Sequence, residues 1–84
     1  MDVVISVPEY DVQRGLRVEW EDGFEIGVDV DRAEVRVVAN RVGLVSLARH
    51  LLTLAQAEVS SGTHLHLTAD QELDSAVDLI LERR

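Results

Sequence analysis

With 84 residues and no cysteine, the chain has room for one small domain, residues 1–84, and none for disulfides, thiolate metal ligands or a thiol nucleophile. Sixteen acidic residues against eight arginines give a formal net charge of −8, a surface that repels a phosphate backbone and argues against nucleic-acid binding. The opening MDVVISVPEY holds neither a basic leader nor a long apolar run, so the expectation is a cytoplasmic chain without membrane attachment.

The hydrophobic share of 46% suffices for a core, but Tyr10, Trp20 and Phe24 are the only aromatics, so branched aliphatic side chains must fill it. DVVISV reads as a possible first strand, set apart by Pro8 and a polar stretch running to Gly15. LRVEWEDGFEIGVDV then alternates on both sides of Asp22-Gly23, a dipeptide suited to a tight turn with positive φ, and predicts a hairpin. Leu16, Val18 and Trp20 share one face of its first strand, and Phe24, Ile26, Val28 and Val30 one face of its second. EVRVVA continues the alternation, with Val35, Val37 and Ala39 expected inward.

Asn40 is a good N-cap for a helix spanning about 41–59. At ~3.6 residues per turn, Leu44, Val45, Leu47, Ala48, Leu51, Leu52, Leu54, Ala55 and Val59 fill one arc, and Ser46, Arg49, His50, Thr53 and Gln56 the other. The expectation is an amphipathic helix with its leucines against a sheet, so that Leu47→Ala or Leu51→Ala endangers the fold. THLHLT and AVDLILER predict a closing hairpin, Leu65, Leu67, Val77, Leu79 and Leu81 inward and His64, His66, Asp78, Ile80 and Glu82 outward.

Together these elements predict an α+β fold: an antiparallel sheet of five or six strands with one amphipathic helix packed on one face. A helix crossing back over the sheet delivers its next strand parallel to the previous one, so the last strand is expected between them, in the order 1-2-3-5-4.

Chemistry is sparse. No Gly-rich phosphate loop, nucleophile elbow or basic stripe appears, and carboxylates on an open sheet face lack the cleft that tunes a catalytic pair, so no enzyme and no cofactor is expected. His64 and His66, two apart on a strand, could chelate a metal if Asp78 supplied a third ligand, but one His-x-His is a weak signal. Glu19, Glu21, Asp22, Glu25, Asp29, Asp31 and Glu34 crowd a segment whose only base is Arg32. Such a run is ordinarily a solvated face, with a footprint for a basic partner as the less common alternative.

ANRVGLVSLARHLLTLAQ, GTHLHL and DLILER, covering Ala39 to Arg83, resemble the immunity protein 32 family of bacterial polymorphic toxin systems. The most specific marks are Gly43-Leu44 at the helix start, the Leu51-Leu52 pair, and Gly62-x-His64-x-His66-Leu67. ELDSA departs from the Glu- and Gly-containing loop that the family carries before its last strand. The resemblance implies a non-enzymatic cytoplasmic protein that binds a cognate protein toxin, expected to be basic. On that reading Glu19, Glu25, Asp29, His64, His66 and Asp78 lie on or beside the toxin-binding surface. The alternatives are a metal- or ligand-binding module built on His64 and His66, and a homodimer pairing exposed edge strands.

Overall fold

A computed structural model describes all residues from Met1 to Arg84. Its elements are β1 (Ile26–Asp31), β2 (Glu34–Ala39), α1 (Arg41–Leu54), β3 (His64–Leu67) and β4 (Leu79–Glu82). The α+β class holds, but the five- or six-stranded sheet does not form. β1 pairs antiparallel with β2, β3 pairs antiparallel with β4, and the two ribbons are separate two-stranded sheets.

Turn geometry accounts for part of that difference. At Asp22-Gly23 only the second central residue, Gly23, takes a positive φ, +80°, whereas the hairpin turns matched to strand twist need positive φ at the first. The turn forms, with Phe24 N donating to the Glu21 carbonyl at 3.3 Å, but Leu16–Trp20 is not carried back along β1. The loop after β3 takes that edge instead, Asp74 N donating to the Ile26 carbonyl at 2.7 Å. The opening DVVISV stretch is likewise irregular. At the β1–β2 turn Arg32, the first central residue, takes φ 54°, and the hairpin closes in register from Asp31↔Glu34 to Ile26↔Ala39.

α1 starts where expected and ends at Leu54, short of residue 59. Asn40 caps it and joins three pieces of backbone: Oδ1 accepts from Gly43 N at 2.8 Å and Glu25 N at 3.0 Å, and Nδ2 donates to the Gly23 carbonyl at 2.9 Å. The cap packs so closely that a Cβ on Gly43 would lie 2.5 Å from the Glu25 carbonyl oxygen and 3.0 Å from Ile26 Cγ1, which requires glycine there.

The orientation of α1 departs from the expectation in part: Leu54 and Val59 of the apolar arc are buried and Leu47 packs against the core, but the polar arc turns inward as well. Ser46, His50 and Thr53 are buried, while Leu44 and Leu51 are 55% and 54% exposed. The irregular N-terminal quarter of the chain carries backbone groups with no ladder to satisfy them, and the polar helix face supplies partners. Ser46 Oγ accepts from Glu21 N at 2.9 Å, Arg49 Nε donates to the Ser6 carbonyl at 2.9 Å, and Gln56 Nε2 donates to the Pro8 carbonyl at 2.9 Å. Arg49 also pairs with the Glu21 carboxylate. The cost of this arrangement is an apolar stripe left facing outward.

The core is thin: Ile26, Val28, Leu67 and Leu73 form its main cluster, surrounded by half-buried Trp20, Phe24, Ala39, Leu47, Leu65, Leu79 and Leu81, and Leu54 and Val59 are the other buried apolar side chains. The β3–β4 ribbon follows the sequence reading, with Leu65↔Leu81 and Leu67↔Leu79 inward and His64↔Glu82 and His66↔Ile80 outward. Val77 departs from it and is exposed. In the other ribbon Ile26, Val28 and Ala39 face the core as expected, but Val30, Val35 and Val37, on the same face and expected inward, are exposed because nothing lies over the turn end of the ribbon. No helix is long and apolar enough to cross a membrane.

Candidate protein-interaction surface

Period-two alternation fixes which side chains share a face. On the face of the β1–β2 ribbon turned from the core, Asp29 lies across from Arg36 and Asp31 across from Glu34, and these four line a shallow depression. Two acids directly opposite each other repel, so the turn end of the ribbon is a position that gains from a cation. Nearer the helix, Glu25, Asp29 and Asp74 line a groove of about 270 Å³ floored by Gly27. A Cβ on Gly27 would stand 3.0 Å from the Asp74 carbonyl oxygen, so glycine lets the loop seat itself on β1.

The second group sits on the other ribbon. His66 Nε2 lies 2.7 Å from Asp78 Oδ2, and the other oxygen of Asp78 accepts from Ala69 N at 2.7 Å. The Ala69 amide, and then His66, hold the Asp78 carboxyl below its usual range. The backbone amide of Thr68, then its own, does the same for Glu72. Both carboxylates brace the loop between β3 and β4, the loop whose Asp74 closes the edge of β1. His64 turns instead to the Gly62 carbonyl, 3.1 Å from Nδ1.

The six residues singled out in the sequence thus fall into two groups and one outlier. Glu25 and Asp29 meet in the groove, His66 meets Asp78 with His64 beside it on β3, and Glu19 stands apart on the irregular segment before Trp20. They do not share a single sheet face, because the single sheet does not form. His64, His66 and Asp78 do not converge as a chelating triad, and no group of three or more such side chains is placed to hold a metal.

Sequence reasoning missed several participants. Asp74 reaches the groove only through a loop contact that no local pattern signals, and the bare outer side of β2 follows from what fails to cover it. His50, expected in solvent, is fully buried with its ring 4.3 Å from that of Trp20 and at 72° to it. Neither ring nitrogen has a hydrogen-bond partner, and burial, then the neighbouring Arg49, hold its pKa below the ordinary 6.5. Trp20 lies between His50 and Phe24, whose ring centroid is 4.5 Å away, and so carries the irregular segment onto the helix.

Fold and surface define a small α+β protein with acidic, uncovered strands and no group of three or more side chains placed to hold a metal. The pattern of the immunity protein 32 family matches residues 34–84, more than half of the chain, and the chain belongs to that family. No curated protein and no solved structure matches it.

Proposed function

We propose that this chain is a non-enzymatic immunity protein that binds a cognate protein toxin and blocks it. The observation that carries the reading is the family match over residues 34–84. The net charge of −8 supports a basic toxin, because an acidic surface raises the rate at which a basic partner arrives and rejects partners of like charge. Glu25 and Asp29, joined by Asp31, Glu34 and Asp74, form the part of the contact that steers the toxin. His64, His66 and Asp78 flank it through the loop that Asp78 braces, and Glu19 adds to the field from outside. Opposing a toxin made in the same cell places the protein in the cytoplasm.

Co-expression with the toxin encoded beside it, scored as growth and then as co-purification, tests the reading. Rescue with a stable complex is the expected result; undiminished toxicity, with no complex recovered, contradicts it. Exchanging Glu25, Asp29 and Asp74 together for their amides is expected to slow association several-fold, an effect that shrinks as salt rises.

A further inference from the structure

The two edges of the β1–β2 ribbon differ. On β1 the outward backbone is engaged by the loop between β3 and β4 at its helix end alone, Asp74 N donating to the Ile26 carbonyl at 2.7 Å, while the outward groups of Val28 and Val30 carry no such bond. On β2 it is bare. Asn40 N donates inward to the Glu25 carbonyl at 3.1 Å, and antiparallel pairs alternate, so Arg36 and Val38 also face β1 while the amides and carbonyls of Val35, Val37 and Ala39 point outward. No side chain or backbone group bonds to them.

Soluble proteins guard such edges with proline, bulges, charged side chains or a covering element. In β2, EVRVVA, the only such guards are Glu34 and Arg36, both on one side of the edge, and residues 34 to 38 are all exposed. Val35, 67% exposed, and Val37 stand on one side of the edge, and Asp29, Asp31, Glu34 and Arg36 on the other, three acids to one base.

We infer that β2 is the docking edge for a strand of the partner protein, an extended segment with apolar side chains alternating with lysine or arginine. Its backbone extends the ribbon to three strands. Its apolar side chains continue the stripe of Val35 and Val37, and its basic ones meet Asp31 and Glu34, whose mutual repulsion they relieve. Charge favours this occupant over a second copy of the chain, which would bring three more acids per copy to the same face. The inference rests on the proposed immunity role and adds where and how the toxin is held.

Two variants test it against the toxin encoded alongside. Val37→Pro removes one outward amide without touching a bond to β1, a position where proline is tolerated on an edge strand. Val37→Lys keeps the amide and sets a positive charge against a basic strand. Each is expected to weaken toxin binding about tenfold or more, with circular dichroism and thermal unfolding like the parent's. In the parent complex, amide exchange at Val35, Val37 and Ala39 is expected to slow together while their flanking residues change little. Toxin binding unchanged in folded Val37→Pro and Val37→Lys, with no slowing at those three amides, overturns the inference and leaves the immunity role standing. A parent chain that binds no toxin overturns both. Slowed exchange in the free protein that weakens on dilution assigns the edge to a second copy and overturns the basic-strand occupant.

Discussion

The two ribbons are written in the same alternating code and end in different states. β3–β4 turns Leu65, Leu67, Leu79 and Leu81 into the core and its histidines to water, as alternation requires. β1–β2 has the same pattern, yet only the helix end of its apolar face, Ile26, Val28 and Ala39, packs on the core; Val30, Val35 and Val37, toward the turn, look out. Alternation determines which residues share a face, and a second element must arrive to bury it. For β3–β4 that element is the rest of the domain. Over the turn end of the β1–β2 ribbon it is absent, and α1, with Leu44, Leu51 and Leu52 outward, does not supply it.

The sharpest test of this contrast truncates one buried and one exposed side chain of the same face to alanine. Ile26→Ala, at a position 1% exposed, is expected to cost about 2–5 kcal/mol in denaturant unfolding. Val37→Ala, 42% exposed, is expected to stay within about 0.5 kcal/mol. Leu51→Ala carries the same test to the helix, with a cost of about 1 kcal/mol or less for a side chain 54% exposed. A loss of several kcal/mol at Leu51 would mean that the leucine face, not the polar one, packs inward.

Asn40→Ala follows in size. It removes the cap and both bonds that tie the helix to the preceding turn and strand, and about 2 kcal/mol is the expected loss. Asn40→Asp, which keeps the acceptor for Gly43 and Glu25 but not the donor to Gly23, is expected to recover about half.

His50 gives a comparable effect with opposite sign. Its nitrogens are buried without partners, so His50→Leu is expected to stabilise by about 1–2 kcal/mol at neutral pH. In the parent, the folded imidazole titrates below 6.5 and the unfolded one near it. Above that pH both states are neutral and His50 contributes no slope. As pH falls below about 6.5 the unfolded chain takes up the proton first, so stability declines toward the folded pKa. Trp20 fluorescence, read beside the ring, follows the transition, and the variant is expected to lose this part of the acid slope. The smallest effect is at the turn that closes β1 onto β2: Arg32, at φ 54°, is expected to gain up to about 1 kcal/mol on replacement by glycine.

Local features of the sequence were legible: the Asn40 cap, the β1–β2 and β3–β4 pairings, and the outward placement of His64, His66 and Asp78. These depend on period, capping chemistry and short-range turns. The assembly was not legible, because the orientation of α1 is decided by backbone groups in residues 5–24 that need polar partners, a demand with no periodic signature. The same irregular segment explains why Asp22-Gly23, a good turn dipeptide, does not complete a hairpin. The candidate surface was half legible for the same reason: Glu25 and Asp29 could be read from alternation, whereas Asp74 and the bare edge of β2 depend on which segments approach each other.

The central claim is that β2 ends the ribbon and leaves its outer backbone unpaired. Amide hydrogen exchange on the free protein at low micromolar concentration reads this residue by residue. The account predicts slow exchange at Arg36 and Val38, which bond to β1, and fast exchange at Val35 and Val37, which alternate with them. Equal protection at all four would contradict it, and would restore the continuous sheet in which another strand lies against β2.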